Sequence, residues 1–179
     1  LAELSSAPVP EAGDADHVRG SGPGAILYMD LACPRCAASW VELRELPLEL
    51  CVRHFPVESL RPRAPALHAA AEAAAALGGE PAFWAMWDSL MEDQGHQDDP
   101  HLWSRAERLG LELTRFDDER RSEAVVDRIR RDFHGGIRAG VAGTPAALAG
   151  GRLLGDEPVA ALRELAARGE GPRARRVDL

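Results

Sequence analysis

Two of the three cysteines in this chain, Cys33 and Cys36, are separated only by Pro34 and Arg35. A C-x-x-C pair serves either thiol–disulfide exchange or metal ligation, and its surroundings decide which. Upstream, Ala25-Ile26-Leu27-Tyr28-Met29-Asp30 is a short apolar run of the kind that forms a buried central strand. From Pro34 the pattern changes to helical spacing, with Trp40, Leu43 and Leu46 able to share a face, and proline suits a first helical turn. Cys33 therefore falls beside a helix N-terminus, where unpaired amides and the macrodipole favour a thiolate, and Arg35 adds a guanidinium nearby. Both effects place its pKa below the free value of about 8.5, which makes Cys33 the expected exposed nucleophile. Cys36, one turn further in, is the expected shielded thiol that resolves a mixed disulfide. A stabilised thiolate makes the disulfide more oxidising, so the Pro34-Arg35 dipeptide leans toward an oxidant.

The metal alternative needs two more ligands, and only Cys51 and the scattered His17, His54, His68, His96, His101 and His134 remain. A purely structural disulfide closing so short a loop would stabilise little. Cys51, in a strand-like stretch, reads as a small buried hydrophobe. No metal or cofactor is expected.

More than a hundred residues downstream, Val141-Ala142-Gly143-Thr144-Pro145 combines a glycine turn with an X-Pro bond, which takes the cis form at low cost, and then opens a strand. Between the two markers the chain is helical in pattern. Residues 1–24, rich in Pro, Gly, Ser and Asp, read as an extended lead-in. A strand-like alternation over residues 48–55 sets Leu48, Leu50, Val52 and His54 against Glu49, Cys51, Arg53 and Phe55. Helical segments follow at 64–77, around 83–90, 102–109, 114–120 and 122–137, punctuated by Gly78-Gly79 and by residues 95–100. The Phe83, Trp84, Met86, Trp87 and Leu90 stripe reads as core packing. Residues 141–149 and 152–154 form a hairpin about Gly150-Gly151, and an amphipathic helix over 157–167 closes the chain. The expected division is a lead-in (1–24), an α/β domain (25–61 and 139–170), an inserted all-helical subdomain (62–138) and a flexible tail (171–179).

Composition excludes several classes. The 179 residues carry a net charge of −8, which gives no basic groove for nucleic acid, although residues 172–176 are locally Arg-rich. No apolar run reaches the roughly 18 residues of a membrane span. All 21 basic residues are Arg, so lysine Schiff-base chemistry is absent. The chain opens Leu1-Ala2-Glu3 without a basic, apolar leader, which points to the cytoplasm, or to export if a leader has been removed.

The segments Asp16-His17-Val18-Arg19-Gly20, Asp30-Leu31-Ala32-Cys33-Pro34-Arg35-Cys36, Val52-Arg53-His54-Phe55-Pro56, Phe83-Trp84-Ala85-Met86-Trp87-Asp88, Leu109-Gly110-Leu111 and Gly140-Val141-Ala142-Gly143-Thr144-Pro145, with the Ala-rich helix after Arg61-Pro62, together resemble the DsbA-like thioredoxin-domain proteins. The resemblance implies a thioredoxin fold with inserted helices and dithiol–disulfide exchange, Cys33 attacking and Cys36 resolving. It also implies that Pro145 is a cis-proline across from the nucleophile and that the Thr144 backbone pairs with an extended substrate, with Pro34 and Arg35 at the same surface. The expected partners are a protein or small-molecule thiol or disulfide and a redox protein that recycles the pair. A glutathione-dependent isomerase or transferase of the same architecture, or a non-catalytic peptide-binding module, remains open. One departure is the small run Ala146-Ala147-Leu148-Ala149-Gly150-Gly151, where the family usually shows larger residues; neighbours such as Trp84 or Trp87 must refill that volume.

Overall fold

The computed structural model describes residues 11–155 and 157–169; the Arg-rich stretch at 172–176 and the tail expected over 171–179 lie outside the described residues. The elements run β1 (His17–Gly20), β2 (Gly24–Met29), α1 (Pro34–Leu43), β3 (Glu49–His54), α2 (Ala64–Glu92), α3 (Asp99–Arg108), α4 (Leu113–Glu119), α5 (Glu123–Arg138), β4 (Ala146–Ala149), β5 (Arg152–Leu154) and α6 (Pro158–Arg168). The architecture is α/β, as the sequence predicts. One five-stranded sheet has the order β1-β3-β2-β4-β5. β2 and β3 pair in parallel through the α1 crossover, whereas β4 returns antiparallel to β2.

The period-2 alternation of the strands sorts the core into two faces. Leu27 and Met29 join Leu50 and Val52 in the main core, with Trp40 and Leu43 of α1, Phe83, Met86 and Trp87 of α2, and Leu162 of α6. Tyr28, Phe55 and Leu148 face the other way, onto Phe133 of α5 and onto Ala139 and Val141. Gly136 lets α5 come that close: a Cβ there would lie 2.7 Å from the Phe55 ring and 3.0 Å from Tyr28. The small β4 strand is therefore backed by Tyr28 and Phe55 on its Leu148 side, while Trp84 and Trp87 pack on Trp40 with ring centroids 6.2 and 6.1 Å away.

The lead-in differs from its reading. Its last part is β1, paired antiparallel with β3 from His17↔Val52 to Gly20↔Glu49. This strand has no apolar alternation, because polar contacts hold it to α2. His17 stacks on Phe83 at 3.4 Å, and Arg19 pairs with Asp88 at 3.0 Å. The helical reading of 64–90 as two segments matches the backbone: α2 breaks at Gly79 (φ 71°), and Pro81 opens its second half.

Candidate active site

β2 ends at Met29 and α1 begins at Pro34, so the turn Asp30–Cys33 places Cys33 at the N-cap of α1 with extended backbone (φ −93°, ψ 117°). The turn is clamped from several sides. Cys33 N donates to Asp30 O at 3.0 Å, Ala32 N to Asp30 Oδ1 at 2.8 Å, and Leu31 N to His68 Nε2 at 3.1 Å. Gln94 and Gln97 donate to Leu31 O from beyond α2, at 2.8 and 3.0 Å.

Both cysteines are free thiols, and their environments drive them apart. The Cys36 thiol hydrogen bond lowers the Cys33 pKa to about 5; the Cys36 amide, Thr144 and the Arg61 charge assist, and burial opposes. Burial raises the Cys36 pKa far above the ordinary thiol range, and proximity to Cys33 adds to it. The Cys36 amide is a helix N-terminal donor, which is the contribution expected from the position of Cys33. Two expectations change. The cation that assists Cys33, as the smallest of these influences, is Arg61 in the loop between β3 and α2, while Arg35 is exposed. Cys33 is also not an exposed thiol, since its accessible surface is 0%. Its Sγ lies 3.7 Å from the Thr144 carbonyl oxygen, so the segment before β4 lies against it.

The Thr144-Pro145 peptide is cis, as expected. Thr144 Oγ1 is buried beside the thiols and has no hydrogen-bond partner among the described residues. Cys33, Cys36 and Thr144 therefore meet at one point. Pro34 and Arg35 adjoin it as exposed residues. Cys51 does not take part: it lies on the opposite face of β3 from Leu50 and Val52, and burial raises its pKa to about 12. It lines a concavity of about 370 Å³ with Gly24, Glu49 and Ala149, at the end of the sheet away from Cys33.

The structure also assembles groups that the sequence shows only as scattered. His17 Nε2 and His54 Nε2 lie 2.9 and 2.5 Å from Glu72 Oε1, His17 Nδ1 lies 2.5 Å from Glu80, and His54 Nδ1 lies 2.6 Å from His68 Nδ1. His68 and Glu72, four apart on an Ala-rich helix, were the one legible hint of a shared polar face. Among the described residues, His17, His54 and Glu72 are the set whose ligand atoms converge. They do not fit a metal ion. Leu31 N–H fixes His68 Nε2 as an acceptor, so neutral His68 carries its proton on Nδ1 and donates to His54 Nδ1. That leaves the His54 proton on Nε2, donating to Glu72 where a metal would need a lone pair. Arg128 Nε, 3.8 Å from Glu72, adds a positive charge. Burial lowers the His68 pKa to about 4, consistent with the neutral ring. Burial opposes the charge on His17, but Glu72 and Glu80 outweigh it and raise its pKa.

A family model described as DSBA-like thioredoxin domain matches residues 38–167, a stretch that begins two residues after Cys36 and includes Thr144 and Pro145. A thioredoxin-like oxidoreductase from Silicibacter pomeroyi superposes with a TM-score of 0.73 at 21% identity, over 87% of this chain and 92% of that one. The thiol-disulfide exchange protein alpha-DsbA2 of Wolbachia pipientis gives a TM-score of 0.73 at 20% identity, over 87% and 88%. These likenesses show the fold, a thioredoxin fold of DsbA-like type. Na(+)/H(+) antiporter NhaA 1 of Salinispora arenicola is 37% identical over 152 residues, 80% of this chain and 23% of that protein. The chain thus spans under a quarter of the length of the curated relatives it matches. None of its described helices is long and apolar enough to cross a membrane.

Proposed function

Because this chain belongs to the DSBA-like thioredoxin domain family, we propose that it is a thiol–disulfide oxidoreductase whose redox centre is Cys33-Pro34-Arg35-Cys36. The observation that carries this is the opposite displacement of the two thiols, Cys33 down to about 5 and Cys36 upward, at a helix N-terminus beside Thr144. A thiol held as thiolate is both the better nucleophile at neutral pH and the better leaving group, and it makes the pair a stronger oxidant.

In the oxidising direction a substrate thiolate attacks Cys33 Sγ of the Cys33–Cys36 disulfide. The S–S bond breaks, Cys36 leaves with the electron pair and takes up a proton, and a mixed disulfide remains on Cys33. A second substrate thiolate attacks the substrate sulfur and releases Cys33 as thiolate. The substrate loses two electrons, the pair gains them, and a recycling partner reoxidises it. Cys33 has no exposed surface and Thr144 lies against it, so an incoming sulfur reaches Sγ once the residues covering it move aside. An extended protein or small-molecule substrate entering there meets the Thr144 backbone and Pro145 on one side and Pro34 and Arg35 on the other.

The test is equilibration in graded glutathione buffers with mass spectrometry. A reversible Cys33–Cys36 disulfide should form, Cys33→Ser should abolish exchange with a dithiol peptide, and Cys36→Ser should accumulate the mixed disulfide. Turnover retained in Cys33→Ser, or peptide binding with no disulfide at any potential, would overturn the proposal.

A further inference from the structure

The residue adjoining the nucleophile in sequence, Arg35, is not the one whose charge is built into the site. Asp30 has no exposed surface and touches both cysteines through its backbone: its carbonyl accepts from Cys33 N at 3.0 Å, and its amide donates to Cys36 Sγ at 3.5 Å. Its carboxylate receives Ala32 N at 2.8 Å from the cysteine turn, Val57 N at 3.1 Å from the β3–α2 loop, and Arg61 Nη1 at 3.2 Å. One buried carboxylate therefore fastens the cysteine turn, the opposite loop and a guanidinium together. Burial works against the charge on Asp30, and the Ala32 and Val57 amides help hold its carboxyl below the usual carboxylate range.

We infer that Arg61, held beside the cysteine turn by Asp30 as positioning residue, supplies a positive charge that stabilises the Cys33 thiolate and so adds to the oxidising strength of the pair. This rests on the proposed exchange chemistry. The groups that face Cys33 are the thiol and amide of Cys36 from α1, Thr144 from the segment before β4, and the Asp30 carbonyl; Arg61 reaches the site through the Asp30 carboxylate. His68 of α2 reaches the site only through Asp30 and Leu31 and is neutral near pH 7. Arg61 thus has two effects of the same sign: it attracts the thiolate directly, and it neutralises a buried carboxylate that would otherwise repel it. Arg35, exposed at the second position of α1, is screened by water.

The experiment is ultraviolet titration of the Cys33 thiolate, with glutathione equilibrium at pH 7 and thermal melting, for wild type, Arg61→Gln, Arg61→Lys and Arg35→Ala. Arg61→Gln should raise the Cys33 pKa by about one unit and lower the equilibrium constant for oxidising glutathione about tenfold, equivalent to about 30 mV. Arg61→Lys, which keeps the charge without the planar fork, should fall between Arg61→Gln and wild type. Arg35→Ala should shift the pKa less than Arg61→Gln. An unchanged pKa in Arg61→Gln, or a larger rise in Arg35→Ala, overturns the inference. If Arg61→Gln does not fold, Arg61→Met, which removes the charge and keeps an unbranched side chain, is titrated in its place with the same expectation. The titration reads the thiolate whether or not the protein turns over, so a failure of exchange and a failure of this inference are separable.

Discussion

The neutral His68 makes folding stability depend on pH in a window where few other groups act. Its side chain is fully buried between Leu31 N and His54, and burial lowers its pKa from 6.5 to about 4. Between those values the unfolded chain binds a proton that the folded protein does not. Stability is therefore fully present above pH 6.5 and falls by about 1.4 kcal/mol per pH unit toward pH 4. From pH 7.5 to 5 the loss is about 2 kcal/mol. His17 contributes no slope there: its raised pKa means that it is charged in both states below 6.5, and its stabilisation is lost only as pH rises through the raised value. Asp16, Asp30 and Glu72, all lowered, begin to cost stability only as pH falls into the ordinary carboxylate range. The Cys33 thiolate does act in the same window with the same sign, because its pKa drops from 9.0 to about 5. The measurement therefore belongs in a Cys33→Ser background. Urea unfolding followed by tryptophan fluorescence at pH 7.5, 6.5, 5.8 and 5.0 should show the decline, with an unchanged m-value. Adding His68→Gln, whose side-chain oxygen can accept from Leu31 N–H and whose amide nitrogen can donate to His54, should flatten it. A Cys33→Ser protein equally stable at pH 7.5 and 5.0, or a His68→Gln variant that keeps the full decline, would refute the buried neutral histidine.

Further outcomes are expected elsewhere in the molecule. Cys51→Ala should leave glutathione exchange rates unchanged and cost about 1 kcal/mol or less in urea unfolding, since the thiol acts as a small buried hydrophobe. Gly136→Ala should destabilise by about 1–3 kcal/mol, because its Cβ meets the Phe55 ring at 2.7 Å; Gly135→Ala, whose Cβ meets Tyr28 Oη at 3.4 Å, should be tolerated in the same melting assay. Asp88→Ala should cost about 1–3 kcal/mol, because it strands buried Trp40 Nε1, bonded at 2.7 Å, and releases Arg19 of β1. A thermal melt unchanged from wild type would show that Asp88 does not anchor β1.

The parts of the molecule visible in its sequence are those governed by short-range rules. The apolar run 25–29, the alternation over 48–55 and the helical spacing after Pro34 report which side of a strand or helix meets the core, and the structure keeps them except that α1 ends at Leu43, which leaves Leu46 beyond the helix. The position of Cys33 at a helix N-terminus also follows from adjacent residues. β1 escaped because it carries His17 and Arg19 where an alternating strand would carry apolar residues, and its burial comes from Phe83 and Asp88, more than sixty residues away. For the same reason six histidines looked scattered.

Sequence by itself determined the fold class, the paired thiols and the Thr144-Pro145 turn, because each is written in contiguous residues whose backbone preferences and periodicity are local. Tertiary structure alone decided that Arg61 is fastened beside the cysteine turn, that Cys33 lies covered beside Thr144, and that His17, His54, His68 and Glu72 form one hydrogen-bonded chain. These depend on distances between loops and helices far apart along the chain. A charge next in sequence can point into water, while one 28 residues on is held against the site by a shared buried carboxylate.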